Sequence, residues 1–149
     1  MKKIIAIGLI LAAGVVAVAP LTNAQEMCSG TAKMCASHII PPYVSDGQTY
    51  RSFILPGQDA EFHVTFFAGT TYRIAAGTGE TEGNLIYSIY AYDPTTGDRP
   101  MIFTSAQHGN TPFWDFKVNA TVEVAVVASL NPAYNKESGC AVVMIGFKQ

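Results

Sequence analysis

From position 49 to the end, apolar and polar residues alternate with a period of two, and no ten-residue stretch carries a helical period. Alternation places successive side chains on opposite faces, which is the geometry of a half-buried strand. Eight runs qualify: 49–55, 60–67, 70–76, 85–92, 101–105, 113–118, 121–129 and 140–147. Phe62, Val64 and Phe66 share one face, as do Val122, Val124 and Val126. The runs 85–92 and 140–147 are apolar on both faces, as strands in the middle of a sheet are. Gly, Pro, Asn and Asp punctuate the intervals, and Ser45-Asp46-Gly47 reads as a turn ahead of the first strand. Without crossover helices the strands must pair antiparallel. The expectation is an all-β antiparallel sandwich, jelly-roll-like, with about eight strands. An outer-membrane barrel needs strands of about ten residues with one continuous lipid-facing apolar side. Several runs here are shorter, and the two doubly apolar ones break that rule.

The N-terminus reads differently. Lys2 and Lys3 precede an apolar run over 4–19, Pro20 breaks it, and Thr22-Asn23-Ala24 offers small residues for cleavage. That is the layout of a secretory leader, and the run is shorter than the roughly 20 residues a membrane-spanning helix needs. Residues 1–24 are therefore expected to be a signal peptide, 25–48 an N-terminal segment and 49–149 the sandwich, in a periplasmic or secreted protein with no membrane span after cleavage. Residues 26–40 suit a short helix, with Met27, Met34 and Ile39 on one face and Pro41-Pro42 ending it. Losing Lys2 and Lys3 leaves seven basic residues against eleven acids, a net charge of −4. That sparse, acidic balance argues against nucleic acid, which needs basic clusters.

Three cysteines, Cys28, Cys35 and Cys140, follow the leader. An oxidising compartment makes one disulfide the natural expectation and leaves one thiol over. On a helix, Cys28 and Cys35 stand about 10 Å apart, too far to bridge. One of them bonded to Cys140 would staple the N-terminal segment to the last strand; three buried thiols are the alternative.

The stretch from Tyr43 onward resembles a set of short exported bacterial proteins without an assigned activity. The resemblance rests on Ser45-Asp46-Gly47-Gln48-Thr49-Tyr50, Phe62-His63-Val64-Thr65-Phe66-Phe67, Thr71-Tyr72-Arg73-Ile74-Ala75-Ala76, Trp114-Asp115-Phe116 and Ser138-Gly139-Cys140-Ala141-Val142. More broadly it is similar to the pre-peptidase C-terminal type of β-sandwich, with a Leu55-Pro56-Gly57-Gln58 turn and a strand ending in Tyr92-Asp93. Such modules accompany secreted hydrolases and carry no catalytic residues, so the resemblance implies a fold and a compartment but no reaction.

Signals for chemistry are few. His38, His63 and His108 are scattered, and no cysteine or histidine spacing forces a metal site. No Gly-x-Ser-x-Gly elbow occurs. A Cys140–His63 pair depends on the fold joining them. Asp46, Asp59, Glu80, Glu82, Asp93 and Asp98 sit in loops, while Asp115 and Glu123 lie on strands and point to the polar face. Asp93 and Asp98 bracket one turn and, with Glu80 and Glu82, are the calcium candidates. Among aromatics, Trp114, Tyr134 and Tyr92, then Tyr87 and Tyr90, are candidates for a sugar-stacking platform; the alternative is a core role. The reading is a non-enzymatic exported protein that needs no cofactor and acts by binding a glycan or a protein, such as an envelope protein, or as a structural envelope component. The rival is a small hydrolase whose site of His and Asp or Glu forms in the fold; strand addition into an envelope assembly is a third class.

Overall fold

The computed structural model describes residues 22–79, 81–134 and 137–149, with side chains from Cys28 onward. The apolar run 4–19 of the expected leader and Glu80 lie outside the described residues. Among the described residues, no helix is long and apolar enough to cross a membrane.

All eight expected strands form: β1 Val44–Ile54, β2 Asp59–Phe66, β3 Thr71–Gly77, β4 Leu85–Tyr92, β5 Met101–Thr104, β6 Phe113–Lys117, β7 Val122–Leu130 and β8 Gly139–Lys148. They make two four-stranded sheets, β1-β8-β3-β6 and β2-β7-β4-β5, with every pair antiparallel. Successive strands cross between the sheets except at β4–β5, which is the jelly-roll order. Alternation decides what each strand contributes to the core. Phe66, Ile74, Tyr87, Ile89, Val126 and Ile145 are buried between the sheets. Burying a side chain of this size is worth about 1.5–3 kcal/mol.

The first correction concerns β1. It starts at Val44 and runs through Ser45-Asp46-Gly47, so this segment is no turn ahead of the strand. Ser45 pairs with Gly146 and Thr49 with Met144, which sets three β1 residues, 46–48, against Ile145 alone. Turn chemistry is used here to build a bulge: Gly47 has φ +82°, and the Asp46 carboxylate accepts the Gln48 N–H at 2.8 Å.

The N-terminal helix α1, Thr22–Ala36, and the following coil lie across the outer face of the first sheet. Helix propensity is modest there, so packing supplies its stability. Thr31 is buried with its hydroxyl donating to the Gly79 carbonyl at 2.9 Å. Cys35 packs with Ala75, Cys140 and Val142. Cys28 and Cys140 form the disulfide; Cys35 is a free, buried thiol. Ile39 lies on β8 where only glycine fits, because a Cβ on Gly146 would stand 2.6 Å from Ile39 Cγ2. This strap explains why 140–147 is apolar on both faces: one face meets the core and the other meets α1.

Candidate functional site

The sandwich has two lateral seams. On one, β5 and β6 are zipped by aromatics: Phe103 lies 4.9 Å from Trp114 and 5.6 Å from Phe116 between ring centroids. On the other, β1 and β2 meet at Tyr50 and Phe62, 5.8 Å apart, and then separate. Beside the bulge at 46–48 lies a cleft of about 640 Å³. Tyr72, Ile145 and Phe147 form its floor, Asp46, Gln48 and Tyr50 one wall, and His63, Val64, Thr65, Phe67 and Thr70 the other. The volume is that of a ligand pocket, roughly 300–1,000 Å³, and apolar lining with a few polar groups is the usual composition.

Local bonding fixes the walls. The Phe67 N–H donates to the Tyr72 hydroxyl at 3.1 Å, and the Tyr72 ring stacks on Phe66 at 4.2 Å. Phe67 itself remains 59% exposed at the rim. Burial raises the Asp46 pKa, opposed by the Gln48 N–H. Burial, and then the Asp46 charge, raise that of Tyr50. His63 is held on the far wall by Glu61, 2.7 Å from Nε2, and by Glu123, 3.6 Å from Nδ1. Glu61 also takes a 2.9 Å ion pair from Arg99, and that bond holds its pKa below the ordinary value.

The other candidates are dispersed. His38 pairs with Glu82 at 2.7 Å and tilts against Phe113 beneath the strap. His108 packs on Trp114 at 4.4 Å, at the closed seam. A Cys140–His63 pair is ruled out, because Cys140 is in the disulfide and belongs to the other sheet. Burial, with the Glu82 charge adding to it, pushes the Cys35 thiol up to about 12, far from a nucleophile's range. Asp93 spends its carboxylate on the Thr95 and Thr96 N–H groups of its own turn, which lowers its pKa, and Asp98 closes that turn through its carbonyl. Among the described residues, no three His, Cys, Asp or Glu side chains gather to hold a metal ion.

The aromatic candidates do not share one surface. Trp114 faces inward between Phe103 and His108, half-buried. Tyr87 is fully buried in the core, and Tyr90 lies half-buried beneath Arg99. Tyr92 ends β4 opposite Glu123, whereas Leu85 at the start of β4 faces Leu130, just before Tyr134. Seven residue steps separate those ends, about 23 Å. Sequence reasoning missed the cleft because its lining comes from β1, β2, β3 and β8 and the residues at their ends, which strand pairing brings together from distant parts of the chain. The signal that marks it is Asp-Gly inside an otherwise continuous strand pattern.

The fold has a solved neighbour. The chain is similar to PliG of Aeromonas hydrophila, a periplasmic lysozyme inhibitor of g-type lysozyme, with a TM-score of 0.50 and 12% identity over 68% of this chain and 85% of that one. At that identity the likeness is one of fold. No family model matches the chain, so none supports the pre-peptidase C-terminal type, and no curated protein matches it either.

Proposed function

We propose that this is an exported, non-enzymatic binding protein that engages a protein partner through the cleft between β1 and β2. The cleft carries the reading: it lies over an apolar floor of the buried Tyr72 and Ile145 and the half-buried Phe147, with the exposed Phe67 ring at its rim. Its polar groups bond within the walls: Asp46 accepts the Gln48 N–H, and His63 lies between Glu61 and Glu123. The Cys28–Cys140 disulfide supports an oxidising compartment, and with it cleavage of residues 1–24 and a periplasmic or secreted product. A glycan platform at Trp114, Tyr134 and Tyr92 is disfavoured by their separation.

The neighbour's partner class gives the first test. The disulfide-bonded chain is titrated into a g-type lysozyme digesting cell wall, as wild type and as Phe67→Asp. An exposed position of this kind changes stability by no more than about 0.5 kcal/mol, so the variant stays folded. Dose-dependent inhibition that Phe67→Asp abolishes is the expected result. Lysozyme turnover unchanged by excess chain rejects that partner. Inhibition that survives Phe67→Asp rejects the cleft.

A further inference from the structure

We propose that the cleft receives a basic side chain, best an arginine, carried on an exposed segment of the partner protein. The inference rests on the binding reading above and names the chemistry that the site recognises.

The walls are the first observation. Tyr50, Phe67, Tyr72 and Phe147 line one cleft, and among the described residues no Lys or Arg does. Aromatic faces attract cations, most strongly where water is excluded, and a planar guanidinium stacks on them better than an ammonium does. The second observation is an acid without a counter-charge. Asp115 has Arg73, Glu61 has Arg99 and His63, and Glu82 has His38. Asp46 has only the Gln48 N–H, and among the described residues no basic group stands within ion-pair distance of it. Its proton affinity shows the same isolation: burial raises the pKa, and no neighbouring cation opposes that. A carboxylate that has lost water without gaining a positive partner is destabilised. An incoming guanidinium supplies that partner while its stem and plane lie against the rings.

The opposite wall does not repel such a group. The titratable residue there is His63, and its imidazole is bracketed by the carboxylates of Glu61 and Glu123. Arg99 lines a separate depression and is bonded to Glu61, and Lys148, next to Phe147, holds its Nζ over the Tyr43 ring at 5.0 Å. The acidic balance of the whole chain adds attraction at long range.

The test uses the disulfide-bonded chain and two small probes, N-acetyl-arginine amide and its uncharged isostere N-acetyl-citrulline amide, followed by amide chemical shifts. Asp46→Asn is the variant, because its side-chain oxygen still accepts the Gln48 N–H and preserves the bulge. Saturable shifts at Gln48, Tyr50, Tyr72 and Phe147 are expected with the arginine probe. Affinity should fall roughly tenfold with the citrulline probe and roughly tenfold in Asp46→Asn, the scale of one charge-assisted contact. Equal binding of the two probes, equal binding by the variant, or no saturable shift at these amides overturns the proposal. Lysozyme inhibition reports separately. Inhibition lost in Phe67→Asp but kept in Asp46→Asn sinks the basic side chain and leaves the cleft. Arginine saturation without inhibition keeps the basic side chain and sinks that enzyme as the partner.

Discussion

The two seams are built from the same material and end differently. Each brings edge strands of the two sheets together, and each carries aromatic side chains. At β5/β6, the 3-10 turn Ser105–His108 returns the chain so that His108 packs on Trp114 and Phe103, and the seam closes. At β1/β2, three residues of β1 face one of β8, and the seam opens beside Tyr50. The composition of the two edges does not separate them; the backbone does. A glycine at φ +82°, which L side chains rarely adopt, and an acid that bonds its own backbone two residues on mark the edge that stands beside the cleft.

The strongest way to disturb this contrast is through the strap, because the chain passes from it directly into β1. The Cys28–Cys140 disulfide closes a loop across 112 residues of sequence. Replacing both cysteines with serine should cost about 4 kcal/mol and lower the melting temperature by roughly 15 °C. Thermal melts of this variant against the oxidised wild type measure it. A shift of a degree or less would mean that packing of Cys35, Ile39 and Met34 holds the strap alone. Next in size is a comparison across the seams. Trp114→Ala empties the closed seam and should cost about 2–3 kcal/mol, less than a fully buried tryptophan because Trp114 is half-buried. Phe67→Asp at the open seam should cost no more than about 0.5 kcal/mol by urea unfolding. Equal losses would erase the distinction between a closed, load-sharing seam and an open one.

How much of this was legible follows from how each feature is encoded. Strand identity is local, so alternation marks all eight strands and, where one face alone is apolar, as in Phe62, Val64 and Phe66, which side chains share a face. Strand order is not local, and nothing in 140–147 says that β8 lies between β1 and β3. The doubly apolar pattern of 140–147 did indicate burial on both faces, but not that the second cover is a helix. The run 85–92 looks alike, and its outward residues Ile86, Ser88 and Tyr90 are only half-buried; among the described residues no helix covers the second sheet. Helical spacing excluded a Cys28–Cys35 bond. Choosing Cys28 over Cys35 for Cys140 needed the helix to be laid across the sheet, which puts Cys35 above Gly77 and Val142 instead. The cleft was least legible, since its lining joins strands from distant parts of the chain.

The smallest effect separates the seams by the sign of a titration. Asp115 lies on β6, at the closed side, and accepts two bonds from Arg73 at 2.7 and 2.9 Å. Those bonds lower its pKa, with the Tyr43 hydroxyl and the Arg73 charge adding to them against desolvation. Its stabilisation is therefore present above the unfolded value, about 3.9, and is lost as pH falls through the lower folded value. Asp46, at the open side, has a raised pKa, so its ionised form is penalised in the folded state. That cost appears as pH rises from about 3.9 through the folded value. Two variants should therefore diverge in opposite directions. Arg73→Met should be less stable than wild type at neutral pH, with the gap shrinking as pH falls through the folded Asp115 value. Asp46→Asn should be slightly more stable at neutral pH, with the gain vanishing below about pH 4. Urea midpoints between pH 2 and 7 read both. Parallel profiles would mean that the two acids share one environment, and the open seam would lose the uncompensated charge that distinguishes it.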